Sequence, residues 1–392
     1  MQDCNSKIGG MESIKKIQYK EQWLLYYAIN ILFICKYMSR TSYNPIIGIG
    51  VFTILCAATL FFYNYISKKK NIVLNSTIIT LLVFATLLIS FLLIKIEPLS
   101  VNVDRWSATT YFLNGLFSGE YPYGIHTHVC ETNYPSPFPL WYYINIPFWL
   151  MGDVGIGLIF FLLFFTTIIY WFTKFRKQTL VILLLLLISP AYWWEVIVRS
   201  DGLSNAILLF SVILFFYKRN YSFSNHWILT AIICGFMGAT RLYAPIAPAI
   251  FLAKSFFKAP LLRQISILSI IIFIIFLFFA PYIFWDTNNW IFFSRNPFMS
   301  ETSTGNGGVL CVMIVLALLF AYKYKNITEY SRYTALFWLF FFAVSLVYNH
   351  LIFHSDIAFF EDADFDISYF SLALPYILFT ISQGIIVDEK HS

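Results

Sequence analysis

Charged residues are scarce in this sequence of 392 residues. Asp, Glu, Lys and Arg make up 12% of it and hydrophobic residues 59%, whereas soluble domains contain about 25% charged and about 45–50% apolar residues. This composition excludes a soluble globular protein. Apolar runs recur from Trp23 to Val387 with no long polar interval between them, so we expect a single integral-membrane domain over residues 1–392.

Other absences narrow the class further. The six cysteines show neither a disulfide framework nor the spacing of a metal site, and only Cys130 falls in a sizeable polar loop. The net charge of +6 does not indicate a nucleic-acid partner, because Lys and Arg gather at the ends of the apolar runs. Residues 1–21 are polar and basic without a signal-peptide cleavage site, which predicts a cytoplasmic tail. We expect no metal and no cofactor.

Twelve apolar runs are candidates for transmembrane helices. A helix crosses the hydrocarbon core with roughly 20 mainly apolar residues, and helices satisfy the backbone of such segments inside lipid. The predicted fold is an all-α polytopic membrane protein with about twelve transmembrane helices. The predicted spans are 23–38, 45–66, 72–94, 154–173, 179–197, 202–217, 227–240, 244–257, 264–284, 308–322, 332–349 and 369–387.

Basic residues predict the orientation of these spans. Lys and Arg cluster at every second connection, and the positive-inside rule places those connections in the cytoplasm. The clusters lie at 67–70, 174–177, 218–220, 258–263 and 323–325. Lys36 and Arg40 are exceptions, because the same alternation places them outside.

Three long loops are predicted on the outer side, at 95–139, 285–307 and 350–368, and they hold most of the polar residues. Spans are usually joined economically, so three long loops on one face favour a functional site there. The alternative is that the loops are ordinary solvated connections.

The first long loop has two recognisable parts. Residues 104–117 contain no proline and predict a helix lying on the membrane surface. "GEYPYG" at 119–124 and "NYPSPFPLWYY" at 133–143 follow. Alternating prolines fix φ and push the preceding residues to extended geometry, so we expect a stiff strap that returns to the bilayer, with its aromatic residues at the headgroup level.

This arrangement, an Asp directly after a span followed by "FLNGLFSGEYPY" and "YPSPFPLWYY", resembles the C superfamily of integral-membrane glycosyltransferases, the GT-C fold. The most similar members are bacterial mannosyltransferase-like proteins that use polyprenol-phosphate sugars. The resemblance is clearest over 98–150 and looser at 199–210 and 238–248. One departure is that two predicted spans, instead of one, precede the span leading into the Asp loop.

The resemblance implies an inverting hexosyltransferase of cell-envelope glycan synthesis. The donor would be a polyprenyl-phosphate-linked sugar, nominally mannose, and the acceptor a hydroxyl of a glycan or lipid-linked molecule. The active site would face the exoplasm in a bacterial inner membrane, in contact with membrane lipid.

Charged residues at span ends are the main candidates for this chemistry. Asp104 is predicted as the general base that accepts the acceptor proton, or else as a helix N-cap. Arg241 interrupts an apolar stretch, so it either faces the lipid phosphate near a turn or snorkels to the interface. Arg199 either pairs with Asp201 or joins the phosphate site. Arg105 could keep Asp104 ionised or could contact lipid headgroups.

Other polar and aromatic residues of the first loop are weaker candidates. Tyr121, Tyr123 and Tyr134 belong to the motifs above and are predicted to contact the substrate. His126 and His128 have the spacing of two metal ligands, but without further ligands at a recognisable spacing they are better interpreted as solvated loop residues.

Two other classes of membrane protein remain open. A polysaccharide polymerase or ligase would use similar spans and donors, although its large loop usually comes late in the chain. A transporter or flippase of lipid-linked sugars would also be polytopic, but the sequence shows no inverted repeat and no acidic residue deep in a predicted span.

Overall fold

The structure is a computed structural model that describes residues 2–286, 307–353 and 366–391. Most of the predicted loops 285–307 and 350–368, residues 287–306 and 354–365, therefore lies outside the described residues. The first predicted loop, 95–139, is described throughout.

Within these ranges the chain is helical and contains no strand. The α-helices are α1 Gln2–Ser39, α2 Pro45–Ile66, α3 Asn71–Lys95, α4 Arg105–Ser118, α5 Pro139–Leu150, α6 Ile156–Thr173, α7 Arg176–Leu187, α8 Pro190–Ile197, α9 Gly202–Arg219, α10 Trp227–Gly238, α11 Ile246–Phe257, α12 Leu261–Trp285, α13 Gly307–Lys323, α14 Ile327–Phe353 and α15 Leu374–His391. Short 3-10 segments lie at Pro98–Ser100, Pro122–Gly124 and Ile367–Ala373.

The chain is a multi-pass α-helical membrane protein. Six described helices are long and apolar enough to cross a membrane, and they correspond to six of the twelve predicted spans: α2, α3, α6, α9, α12 and α14. In α2, α3 and α12 fewer than a fifth of the residues in the apolar window are buried inside the protein. Such apolar surfaces are incompatible with water and match the hydrocarbon of a bilayer.

The predicted number of twelve spans is not confirmed. The run 179–197 forms two helices, α7 and α8, bent by 64° at a break, which would make a seventh span if the pair crosses together. Pro190 begins α8, and Ser189 caps it by accepting a hydrogen bond from the Tyr192 amide; a residue before proline is disfavoured in a helix. The helices α10, α11 and α13 are only 12, 12 and 17 residues long.

The first long loop is partly as predicted. The helix expected over 104–117 is present as α4. The strap does not stay extended to residue 143, because Pro139 is the first residue of α5, a position where proline is favoured since its missing N–H needs no partner. Trp141 and Tyr142 are fully buried in the protein, so their rings are not exposed to headgroups, and their depth in the membrane stays a prediction.

Polar contacts between helix ends fall into two groups. One end of the helices carries the Lys and Arg clusters at 67–70, 174–177 and 218–220, and we call it the basic end. There the Arg176 side chain donates to Asn75, and Lys218 donates to the Phe172 carbonyl oxygen at 3.1 Å. At the opposite end, which we call the loop end, the contacts join the C-terminus of α3 to the N-termini of α6, α9 and α11. The two groups of contacts thus lie at opposite ends of the helices, as expected if the connections between spans alternate between the two sides of the membrane.

We expect the two ends to be accessible from opposite sides of the membrane. Cys130, exposed in the first long loop, should react with an impermeant maleimide added outside intact cells when it is the sole cysteine. A sole cysteine introduced as Lys69→Cys at the basic end should react only after permeabilisation. Labelling of both from one side would contradict the arrangement.

The reactivity of Cys130 should also depend on its neighbour. The Cys130 sulfur lies 3.0 Å from the Thr132 hydroxyl, and this hydrogen bond lowers the thiol pKa. The lower pKa enriches the thiolate, which is the reactive form. Thr132→Val should therefore raise the pKa of Cys130 and slow its labelling at neutral pH, with little effect at a pH well above the ordinary thiol pKa.

Candidate active site

Asp104 lies at the start of α4 but does not cap it. Its carbonyl oxygen accepts the first helical hydrogen bond, from the Ala108 amide at 2.8 Å, whereas its side chain makes no capping hydrogen bond. The Ser107 hydroxyl donates to the Asp104 carbonyl oxygen and lies 2.7 Å from Nδ1 of His128. The N-cap interpretation of Asp104 therefore does not hold, and its carboxylate is available for another role.

The Asp104 side chain lines a cavity of about 170 Å³ at the loop end. Three basic residues contribute to its wall: Lys36 in the last turn of α1, Arg40 just after α1, and Arg105 at the start of α4. The other lining residues combine amides, hydroxyls, aromatic rings and one further carboxylate: Tyr37, Asn102, Val103, Val129, Asn133, Ser136, Trp194, Val198, Asp366, Ser368 and Tyr369. A carboxylate among cations in a concave site is the arrangement expected of a functional centre.

Arg105 connects α4 to the segment that begins at Asp366. Its guanidinium forms an ion pair with the Asp366 carboxylate and donates to the Ser368 hydroxyl at 3.2 Å. Asp366 in turn accepts a hydrogen bond from the Ser368 amide at 2.8 Å, and Arg105 lies over the Tyr369 ring. The side chain predicted to support Asp104 or to meet headgroups is thus engaged inside the cavity wall.

Arg199 fixes the point where the first long loop leaves α3. Its Nε is 2.8 Å from the Asp153 carboxylate, and Nη2 donates to the carbonyl oxygens of Leu93 and Ile96 at 2.8 and 2.9 Å. Carbonyl groups at a helix C-terminus lack helical partners and attract a cation. Arg199 therefore pairs with Asp153 and not with Asp201, and it is not among the residues that line the cavity.

The turn predicted near Arg241 is confirmed between α10 and α11. Arg241 is buried, and its guanidinium forms an ion pair with Asp201 through Nε at 2.9 Å. It also donates to the Ser136 hydroxyl of the strap at 3.1 Å. Arg241 does not snorkel to the interface, and it does not line the cavity. Its hydrogen bond instead positions Ser136, which is one of the lining residues.

None of the three candidate tyrosines is among the residues that line the cavity. Tyr123 is fully buried and donates to the Pro137 carbonyl oxygen at 3.1 Å, so it belongs to the core beneath the strap. Tyr121 is half-buried, and burial with the nearby Asp286 carboxylate raises its pKa to about 12, which keeps it a neutral hydrogen-bond donor at physiological pH. Tyr134 packs against the His126 ring, with centroids 4.6 Å apart.

The two loop histidines have separate surroundings. His126 packs against Tyr134 with the rings tilted by 44°, whereas His128 is held between the Ser107 hydroxyl and the Val101 carbonyl oxygen, 3.2 Å from Nε2. Among the described residues, no group of three His, Cys, Asp or Glu side chains is placed to hold a metal ion. His128 anchors the segment after α4 to the start of that helix.

Asp104 differs from three other aspartates at the loop end. Asp153, Asp201 and Asp366 each form an ion pair with an arginine, while in the described part of the chain no ion pair involves Asp104. The carboxylate predicted to be a base is therefore the one that the ion-pair network leaves facing the cavity.

Sequence reasoning did not assign a site role to several of these residues. Lys36 and Arg40 were noted only because they break the rule that Lys and Arg cluster at every second connection. No other feature of the sequence near them indicated a role in a site. Asp366 and Ser368 reach the site from the far end of the chain. Glu195 of α8 is fully buried and accepts from the Leu203 amide at 3.3 Å; a carboxylate close to the end of the predicted span 179–197 was an available signal.

Comparison with known proteins adds no assignment. No protein-family model matches the chain, and searches of curated proteins and of solved structures also returned no match.

We expect the Arg241–Asp201 pair to be important for stability. Removing one partner leaves a buried charge without compensation, which costs about 3–5 kcal/mol. Arg241→Gln and Asp201→Asn should each clearly lower the thermal midpoint of the detergent-purified protein. The control is Glu21→Gln, which breaks the more exposed pair of Glu21 with Arg332 and should cost at most about 1 kcal/mol. Equal, small effects at both pairs would contradict this interpretation.

Proposed function

We propose that the chain is an inverting glycosyltransferase that moves a hexose, nominally mannose, from a polyprenyl-phosphate donor to a hydroxyl acceptor. The acceptor would be a glycan or a lipid-linked molecule in cell-envelope synthesis. The observation that supports this most is the position of Asp104, whose carboxylate faces a cation-lined cavity at the loop end of a multi-pass membrane protein. The motifs around Asp104 add the resemblance described above.

Asp104 is assigned the role of general base. The acceptor oxygen attacks the anomeric carbon from the face opposite the phosphate, and the bond between this carbon and the phosphate oxygen breaks. The acceptor proton passes to the Asp104 carboxylate, while the bonding electron pair leaves with the lipid phosphate. A single displacement assisted by one carboxylate inverts the anomeric configuration.

The remaining wall of the cavity suits a phosphosugar headgroup. Asn102 and Asn133 offer amide donors and acceptors for sugar hydroxyls, and Tyr37, Trp194 and Tyr369 offer aromatic surfaces. The volume of about 170 Å³ is below the roughly 300–1,000 Å³ of sites that enclose a whole drug-sized ligand. A headgroup in the cavity with its isoprenoid chain in the surrounding lipid fits these dimensions.

The location of the polar residues favours an enzyme over a transporter. Substrate sites of secondary transporters lie near the bilayer midplane, whereas this cavity is formed by residues around the end of α1, the start of α4 and the end of α8, and by loop residues. A polysaccharide polymerase or ligase would share the donor chemistry and differs in the acceptor. By the positive-inside rule the cavity would open on the exoplasmic side, in a bacterial inner membrane.

We expect Asp104→Asn to lower the rate of sugar transfer by about 10²–10⁴-fold, which is the usual contribution of a general base. The measurement is transfer of labelled hexose from a polyprenyl-phosphate sugar to membrane acceptors, with several donor sugars tested in parallel. The change from carboxylate to amide keeps the size of the side chain and removes its basicity.

The matched control is Glu120→Gln, which makes the same chemical change at an exposed residue just after α4. This variant should keep wild-type transfer. Full transfer by Asp104→Asn, or a product that retains the anomeric configuration of the donor, would contradict the proposed mechanism.

A further inference from the structure

Four helices in the second half of the chain pack as two pairs. α10 lies along α12, and α11 lies along α13. The first pair is in close contact, since a Cβ added to Gly235 of α10 would come within 2.6 Å of the Ile274 side chain of α12. The two pairs leave a space between them, and residues of all four helices line it.

This space continues into a second one, and both have apolar walls. The first cavity, of about 330 Å³, lies between the two pairs, and the second, of about 440 Å³, lies where α11, α13 and α14 meet. Ala249, Ala253 and Leu318 line both cavities, and every side chain that lines either of them is apolar. We call the two together the apolar groove. It shares no lining residue with the cavity at Asp104.

The apolar groove opens at the lipid-facing surface. Phe257, Leu268 and Ile314 line it, and each of them is about half exposed. Water does not suit such a space, because an ordered water needs polar partners. An unfilled groove would also leave its walls without dispersion contacts. A hydrocarbon chain supplies these contacts, so the walls of the groove favour a lipid as its occupant.

One end of the apolar groove lies at the basic end of the protein. Phe223, which lines the groove, comes shortly after the basic cluster at 218–220. Its amide donates to the hydroxyl of Ser255, near the end of α11, at 3.3 Å. The C-terminal part of α11 therefore lies beside this cluster, at the level where lipid headgroups meet the protein.

Two cations lie at this end of the apolar groove. Lys258 is exposed and follows Phe256 and Phe257, which line the groove. Arg263 is four residues before the lining residue Ile267, so the two project from similar sides of α12. Among the described residues, neither cation forms an ion pair or a side-chain hydrogen bond. The first turn of α12 also has no acidic residue, so this end of the groove carries an unbalanced positive charge.

These features together match an anionic phospholipid. The 12 residues of α11 extend over about 18 Å at 1.5 Å per residue, which is close to one leaflet of a hydrocarbon core roughly 30 Å thick. Acyl chains would therefore find apolar walls over their length. Basic pockets between transmembrane helices on the cytoplasmic side attract anionic headgroups, and Lys and Arg bind phosphate oxygens with charge-assisted hydrogen bonds. A lipid without net charge would leave the positive charge unbalanced.

We propose that the apolar groove binds one anionic phospholipid from the leaflet at the basic end. Its acyl chains lie along α11, and its phosphate lies near Lys258 and Arg263. The lipid fills the space between the two helix pairs and joins them. This site is at the opposite end of the protein from the cavity at Asp104, and the proposal does not rest on the proposed function.

Native mass spectrometry of the purified full-length protein tests this proposal. The protein is titrated with phosphatidylglycerol or with phosphatidylethanolamine that has the same acyl chains. The wild type should bind phosphatidylglycerol about 10-fold or more tightly than phosphatidylethanolamine, because only the former has a net negative charge. Lys258→Gln/Arg263→Gln should abolish this preference by weakening phosphatidylglycerol binding, whereas Lys258→Arg/Arg263→Lys keeps both charges and should retain it.

Two further variants separate charge from groove. The matched control, Lys68→Gln/Arg176→Gln, removes one Lys and one Arg at the basic end from helices that contribute no residue to the groove, and it should bind both lipids as the wild type does. Ala249→Phe places a ring where the two cavities meet. It should weaken the binding of both lipids by a similar factor and leave the preference for phosphatidylglycerol unchanged.

Several results would overturn the proposal. Equal affinity of the wild type for both lipids, or an unchanged preference in Lys258→Gln/Arg263→Gln, would show that no anionic headgroup is recognised. Wild-type binding by Ala249→Phe would exclude the groove as the location. Displacement of phosphatidylglycerol by an equal concentration of polyprenyl phosphate would reassign the groove to an isoprenoid lipid, and a dimer that Ala249→Phe disrupts would reassign it to a second copy of the chain. None of these measurements uses sugar transfer, so failure of the proposed function would not affect them.

Discussion

The structure of the loop end depends on one constraint, which is that charges and helix ends near lipid need partners within the protein. Arg199 meets this constraint for the C-terminus of α3 by binding its carbonyl groups together with Asp153. Arg241 meets it at the break between α10 and α11 by binding Asp201 and Ser136. These ties fix both ends of the first long loop, and with them the start of α4.

The same ties determine which charged groups remain for chemistry. Arginines that stabilise helix ends are enclosed by their partners and lie outside the cavity wall, so an apolar context alone does not identify a substrate-binding arginine. Asp104 occupies the position of an N-cap without capping, while Ser107 donates to its carbonyl oxygen and contacts His128. The Asp104 carboxylate at the cavity is thus not used to cap α4.

The sequence predicts what local physics controls. The six long spans follow from the length and apolar character of single segments, and the start of α8 follows from Pro190. Proline at residue 139 was ambiguous, since it opposes a helix that continues through it and favours one that begins there. The partners of charged residues could not be predicted, because Arg199 and Asp153 are 46 residues apart and Arg105 and Ser368 are 263 apart.

Lys36 and Arg40, at and just after the end of α1, show that basic residues at span ends can indicate either membrane orientation or a polar site. Lys and Arg at span ends record orientation because they are retained in the cytoplasm, and a cation that violates this rule must be stabilised by something else. Lys36 and Arg40 violate it and end at the same cavity as Asp104. Their position agrees with the alternation of spans only if the end of α1 lies on the side of the long loops. An exception to the charge rule therefore coincides here with the cavity that Asp104 lines.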